Sequence, residues 1–266
     1  MLLINDEDRK VADTVRGIIP AIAKAADWIV ESFGRGGRLF YVGAGTSGRI
    51  GILDASECPP TYGTNPSFVQ GIIAGGFQAF KDPIVGAEDS ASTGAADIDA
   101  HGISPEDTVI GIAASGRTPY VLGAMARAKA LGARVVGLCN NYDTPMAVQA
   151  DLILEAVVGP EVVHGSTRMK AGTAQKMILN MLTTTAMIRS GKVYGNLMVD
   201  LNPSNEKLVY QAKRIISLAT GATEQQVADA FEGLGPPCQD RHRHAARRRR
   251  RASSQSAAPA GERLRP

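Results

Sequence analysis

Five short apolar runs recur along the chain: RLFYVG (38–43), FVQGIIAG (68–75), DTVIGIAAS (107–115), ARVVGLCN (133–140) and ADLILEAVV (150–158). Stretches of helical character separate most of them. These are SGRIGILDASE (47–57), an acidic, Gly-rich stretch over about 77–101, and TPYVLGAMARAKALG (118–132), which Gly132 closes. Strands alternating with helices of this length make βαβ units, and such units build a parallel sheet covered on both faces. The fold class expected is α/β: a three-layer αβα sandwich with a mainly parallel sheet. Further helices frame it. Val11, Val15, Ile18, Ile22, Ile29 and Phe33 recur at helical spacing over 6–33. Pro20 predicts a kink or two helices there, and Gly34, Gly36 and Gly37 an end. A long helix is expected from about Thr173, with Met177, Ile178, Met181, Leu182 and Met187 on one face.

Composition excludes several classes. Of 266 residues, 44% are hydrophobic and 21% charged, too apolar for a chain disordered throughout. No stretch approaches the ~20 apolar residues of a membrane span, and MLLINDEDRK has no apolar leader region. Cys58, Cys139 and Cys238 form neither a disulfide framework nor a CxxC metal pair, so a reducing, cytoplasmic setting is expected. His101 and His164 are too far apart to read as metal ligands. The net charge of +3 misleads, because residues 236–266 alone carry +7 and the remainder is net −4. That Arg-rich segment has a single large aliphatic residue, Leu264, and is expected to be a disordered tail. A polybasic arm for nucleic acid is the alternative reading of the tail; a nucleic-acid partner is not expected.

In parallel α/β sheets, ligands sit beyond the carboxyl ends of the strands, where helices begin. Three turns at such positions share one chemistry: GAGTSGR (43–49), AASGRTPY (113–120) and HGSTRMKAGT (164–173). Each offers free backbone N–H groups, small hydroxyl residues and a positive helix end, which suit an anion. Thr46, Ser47, Ser115, Gly116, Arg117, Thr118, Ser166, Thr167 and Lys170 are the candidate binding residues. GAGTSGR also matches the dinucleotide fingerprint GxGxxG. The acidic residue that fingerprint needs at the end of the second strand is missing from GTNPSFVQGIIAGG, which makes a dinucleotide the weaker reading. Asp54 and Glu57 lie three apart, next to Cys58-Pro59-Pro60, where the prolines predict a helix stop; Glu88 and Asp89 stand in GAEDS (86–90). A carboxylate pair can divide acid and base work. Spacing alone favours the structural roles, capping or salt-bridging for Asp54 and Glu57 and a solvated helix position for Glu88, and Cys58 reads as a structural thiol.

From Ile4 to Gly221 the chain resembles the N-acetylmuramic acid 6-phosphate etherase family, within the sugar-isomerase (SIS) domain superfamily. The resemblance rests on GAGTSGR, LDASECPPTYG (53–63), GAEDS, IAASGRTPYV (112–121), GSTRMKAGTAQK (165–176) and SGKVYGNLMVD (190–200). It implies a lyase that cleaves the D-lactyl ether of N-acetylmuramate 6-phosphate in peptidoglycan recycling, by elimination and then hydration. The family's two catalytic glutamates match Glu57, as the acid, and Glu88, as the C2 base. Phosphate is expected at 115–118 with the 166–170 loop, and phosphate or sugar at Thr46 and Ser47. No metal or organic cofactor is expected. The partners implied are a phosphosugar and a second copy of the chain, with no membrane. The implied organisation is an N-terminal helical segment (1–33), a SIS phosphosugar-binding domain (34–200), a remnant of a C-terminal helical domain (201–235) and the tail (236–266). The chain begins inside the family's usual N-terminal region and leaves its pattern beyond Gly221. Loss of terminal helices is expected to weaken pairing and leave the pocket incomplete. A phosphosugar sensor without catalysis and an aldose–ketose isomerase are the competing readings.

Overall fold

The computed structural model describes residues 1–82, 84–201 and 206–233; the Arg-rich segment lies outside them. Met1–Val193 forms one compact unit, which contains both the helical segment expected over 1–33 and nearly all of the domain expected over 34–200. Its elements are α1 (Leu2–Gly17), α2 (Ile19–Gly34), β1 (Leu39–Gly43), α3 (Gly45–Tyr62), β2 (Val69–Ile73), α4 (Gln78–Lys81), α5 (Ala91–Ala100), β3 (Thr108–Ile112), α6 (Pro119–Ala130), β4 (Arg134–Cys139), α7 (Pro145–Gln149), β5 (Leu152–Glu155) and α8 (Lys170–Arg189). All five strands pair in parallel, in the order β2-β1-β3-β4-β5.

Strand alternation divides the core in two. Leu39, Tyr41, Ile110, Ile112, Val136, Leu138 and Leu154 face α1, α2, α3 and α8. Phe40, Val42, Val109, Val135 and Cys139 face α5, α6 and α7. All of these are buried, so each strand reads as an apolar run rather than an alternation. The result is the expected sandwich. α1 and α2 meet at Ile18, and Pro20 lies in the first turn of α2, where its missing N–H costs no hydrogen bond.

Two expectations are corrected. α3 does not stop at Pro59 and Pro60; it passes through them to Tyr62. Proline holds φ near the helical value, so the last turn keeps its course while forfeiting two amide donors. Gly63 ends the helix at φ 63° and donates its N–H to the Pro59 carbonyl at 3.0 Å. The stretch 77–101 is not one helix. It splits into α4 and α5 around 82–90, where Gly86 turns the backbone at φ 74° and Ser90 caps α5 by accepting from the Thr93 N–H.

The second unit begins at Tyr194. The short strands β6 (Val193–Tyr194) and β7 (Leu197–Met198) pair with each other, and α9 (Glu206–Thr220) is followed by α10 (Glu224–Gly233). Thr223 and Gln226 form a reciprocal capping box: the Thr223 N–H donates to Gln226 Oε1 at 2.9 Å and the Gln226 N–H to Thr223 Oγ1 at 3.3 Å.

α1 is tied to α8 by a charge pair. The Lys170 ammonium, buried, donates to Glu7 Oε2 at 2.6 Å. Hydrogen bonds from Lys10 and Lys170 hold the Glu7 carboxyl down at about 2, against an ordinary 4.5. A carboxyl depressed on folding stabilises the protein above its ordinary value and loses that contribution as pH falls towards the folded value. Wild type is therefore expected to melt above Glu7→Gln at pH 7. The gap should close between pH 4.5 and about 2, as followed by thermal unfolding across pH.

Candidate active site

β1 pairs with β2 on one side and with β3 on the other, so the chain reverses its winding direction between β1 and β3. At such a switch point the turns beyond two adjacent strands diverge and leave a crevice. The register aligns Gly43 with Ile112, which brings the β1–α3 and β3–α6 turns side by side. An open cavity of about 460 Å³ lies there. Thr46 and Ser47 line it from the first turn, Ser115, Arg117 and Thr118 from the second, and Thr167 from the loop before α8. Glu88 and Asp89 close one side.

Local chemistry fixes each wall. In the first turn Gly43 and Gly48 touch: a Cβ on Gly43 would stand 2.6 Å from the Gly48 nitrogen. This contact brings α3 tightly against the strand end, so that its first residues, Gly45, Thr46 and Ser47, border the cavity. Ser47 donates to Gln175 Oε1 at 2.9 Å, Gln175 Nε2 donates to Asn140 Oδ1 at 2.9 Å, and Asn140 Nδ2 donates to the Ala156 carbonyl at 2.8 Å. The relay is buried and anchors the cavity floor to α8 and to the ends of β4 and β5. In the second turn Gly116 takes φ 63°, and a Cβ there would meet Thr144 at 2.6 Å. The Arg117 N–H donates to Ser115 Oγ at 3.2 Å.

Glu88 is held through α5 and α6. Its carbonyl accepts from the Tyr120 N–H at 3.0 Å, and the Tyr120 hydroxyl donates to Asp97. Burial and the Asp97 carboxylate push the Tyr120 hydroxyl far above its usual range, so it remains a donor. The two helices approach at glycines: a Cβ on Gly94 would lie 2.0 Å from the Tyr120 carbonyl oxygen, and one on Gly123 2.0 Å from the Ala91 carbonyl oxygen. The Glu88 side chain itself is exposed and extends into the cavity wall.

Not every residue singled out in the sequence arrives there. Ser166 sits in the loop before α8, where its N–H donates to the Val163 carbonyl at 2.9 Å, and it does not line the cavity. Lys170 points away and is spent on Glu7. The start of α8 is already occupied by a protein anion, as Glu161 accepts from the Lys170 and Ala171 N–H groups, both at 3.0 Å. This carboxylate uses the donors that the sequence reading assigned to a ligand. Glu57 is exposed on α3, twelve residues after Gly45, which at 1.5 Å per residue is roughly 18 Å down the helix from the cavity rim. Asp54 is neither a cap nor an ion-pair partner. It is buried and accepts from Tyr41 Oη at 2.9 Å, Asn180 Nδ2 at 2.7 Å and Thr183 Oγ1 at 3.3 Å. Burial raises its carboxyl, and these hydrogen bonds oppose the rise. Cys58 is buried, its thiol pushed up to about 12 by burial and by the Asp54 and Glu57 charges, which makes it structural. Gln175, Asn140 and Glu161 escaped the sequence reading. The one signal was a glutamine among the apolar positions of α8.

Among the described residues there is no cluster of metal-ligating side chains and no helix long and apolar enough to cross a membrane. Residues 21–129 match the glucokinase regulatory protein N-terminal SIS domain, and 90–185 the SIS domain. An N-acetylmuramic acid 6-phosphate etherase from Aliivibrio salmonicida is 55% identical over 239 residues, 90% of this chain and 80% of its own length. One from Symbiobacterium thermophilum is 58% identical over 233 residues, covering 88% and 77%. Among solved structures, a phosphoheptose isomerase from Francisella tularensis superposes with a TM-score of 0.51 at 18% identity, covering 69% of this chain and 94% of that one. The Vibrio vulnificus NanR protein complexed with ManNAc-6P gives 0.50 at 12% identity, covering 82% and 68%. These structural likenesses establish the shared fold.

Adding a methyl group at Gly94 must move α5 against backbone, and with it the segment that carries Glu88. Gly94→Ala is expected to cost about 1–3 kcal/mol in urea unfolding and to lower turnover. Gly17→Ala, where a Cβ meets nothing within 4 Å, should leave turnover unchanged and stability undiminished.

Proposed function

We propose how this site works from one premise: the chain belongs to the N-acetylmuramic acid 6-phosphate etherase family. It is a carbon–oxygen lyase of amino-sugar recycling that converts N-acetylmuramate 6-phosphate to N-acetylglucosamine 6-phosphate and D-lactate. The phosphosugar is held by the domain over 34–200. Its phosphate lies in the 115–118 turn, with Thr167 beside it, and its chain runs past Thr46 and Ser47. The observation that carries this reading is the cavity, where two hydroxyl-bearing turns, Arg117 and Glu88 converge at the switch point.

The reaction starts from the open-chain sugar. Glu88 takes the C2 proton, which the C1 aldehyde acidifies, and the electron pair is delocalised onto the carbonyl oxygen. Its return breaks the C3–O bond, and the lactyl oxygen leaves with a proton from Glu57. Water then adds across the C2=C3 bond: hydroxide to C3 with Glu57 as base, and a proton to C2. Such transfers need heavy atoms within about 3 Å of each other. Glu57 and the cavity of one chain are too far apart for that. We therefore assign the acid to a second copy, in a homodimer whose α3 brings Glu57 to the mouth of its partner's cavity. Support comes from the exposed face of α3, where Leu53, 48% accessible, lies one turn before Glu57. A two-fold axis would build both sites at once. Two buried free cysteines suit a reducing cytoplasm.

Mixing two inactive variants tests both the chemistry and its division. Glu57→Gln and Glu88→Gln homodimers should each release D-lactate at least about a hundredfold more slowly than wild type. After unfolding and refolding an equal mixture, half the dimers are mixed and each carries one intact site, so roughly a quarter of wild-type activity should return. No recovery in a mixture shown to contain mixed dimers contradicts the shared site. Full activity in either variant removes that residue from the mechanism.

A further inference from the structure

A recess of about 150 Å³ opens beside the main cavity and shares Ala44, Gly45 and Glu88 with it. Its remaining wall is made of Ala74, Ala79, Ile84, Ala87 and Arg49. The Arg49 side chain is fixed by two backbone carbonyls: Nε donates to the Phe80 oxygen at 3.0 Å and Nη2 to the Ala79 oxygen at 2.8 Å. Both partners are neutral. Among the described residues no ion pair includes Arg49. A half-buried guanidinium thus stands oriented and with donors to spare, in the recess that Glu88 also lines. A guanidinium held in this way can take a planar carboxylate through paired N–H groups.

The substrate assigned above carries two anions, and the main cavity accounts for one. We propose that Arg49 binds the carboxylate of the lactyl substituent, seating the three-carbon group in the recess. This inference rests on the etherase reading and deepens it: Arg49 becomes the residue that distinguishes the ether substrate from its own sugar product, which has no such group. The geometry is consistent with the chemistry, because the lactyl oxygen is on C3, next to the C2 proton that Glu88 removes. Two anion sites joined by one cavity fix both ends of an extended sugar, which places C2 and C3 between them.

Changing the ligand and the protein together tests the contact. The parent is Glu88→Gln, in which turnover is suppressed, so that binding is read by calorimetry. The ligands are N-acetylmuramate 6-phosphate, its lactyl carboxamide and N-acetylglucosamine 6-phosphate. The parent should bind the acid about 10- to 100-fold more tightly than the carboxamide. Adding Arg49→Gln should remove that preference, bringing acid and carboxamide to within about twofold, with N-acetylglucosamine 6-phosphate little changed. Equal weakening of all three ligands would mean that Arg49 only holds the 79–80 segment, and the assignment fails. Equal binding of acid and carboxamide to the parent overturns it without any change at Arg49. Failure of wild type to release D-lactate, with the acid preference intact, would instead remove the etherase reading and leave a carboxylate-selective phosphosugar site.

Discussion

The parallel pairing of β1 with β3 is the constraint from which the rest follows. β2 and β3 succeed β1 in the chain but lie on opposite sides of it. The crossovers therefore wind outward in opposite directions, and the turns that follow β1 and β3 separate instead of packing on each other. Each turn leads into a helix whose first N–H groups have no partner within the helix. At the β1–α3 turn such donors border the cavity, whereas in the β3–α6 turn the Arg117 and Tyr120 N–H groups are bonded to Ser115 Oγ and the Glu88 carbonyl, and Pro119 has none, so that wall offers hydroxyls and the Arg117 side chain instead. The hydroxyls of Thr46, Ser115 and Thr118 line the same cavity, while the Ser47 hydroxyl is spent on Gln175.

Much of this was legible in the sequence, because apolar runs and Gly-Ser-Thr turns are local. The five strands, the layers and the two turns that flank the cavity follow from residues close together in the chain. The failures are of two kinds. Pro59 and Pro60 were read as a stop, but near the end of a helix a fixed helical φ outweighs two lost amide bonds. The turn before α8 looked like its two counterparts, yet Glu161 fills it and Glu7 binds Lys170 from a helix 163 residues away in sequence. Nothing local announces either pairing. Gln175 was hidden likewise, since its meaning comes from Ser47 and Asn140, which only the folded sheet brings to it.

The two glutamates differ in how they are presented. Glu88 rides on a segment tied to α6 by the Tyr120 amide and held by glycine contacts between α5 and α6. Glu57 projects from α3, whose inner face is clamped by Asp54 to Tyr41, Asn180 and Thr183. The clamp fixes which face of α3 is turned outward, and so the direction in which Glu57 is offered. One residue serves the cavity of its own chain and the other is displayed away from it. The proposed sharing of acid and base between two copies rests on that difference in presentation.

The central claim is that the two turns at the switch point hold the phosphate and so place the sugar against Glu88. The most direct measurement compares D-lactate release from N-acetylmuramate 6-phosphate with release from unphosphorylated N-acetylmuramate, using the same protein. The account predicts release from the phosphorylated sugar and a fall in kcat/KM of at least about a thousandfold without the phosphate. Equal release from the two sugars would contradict it.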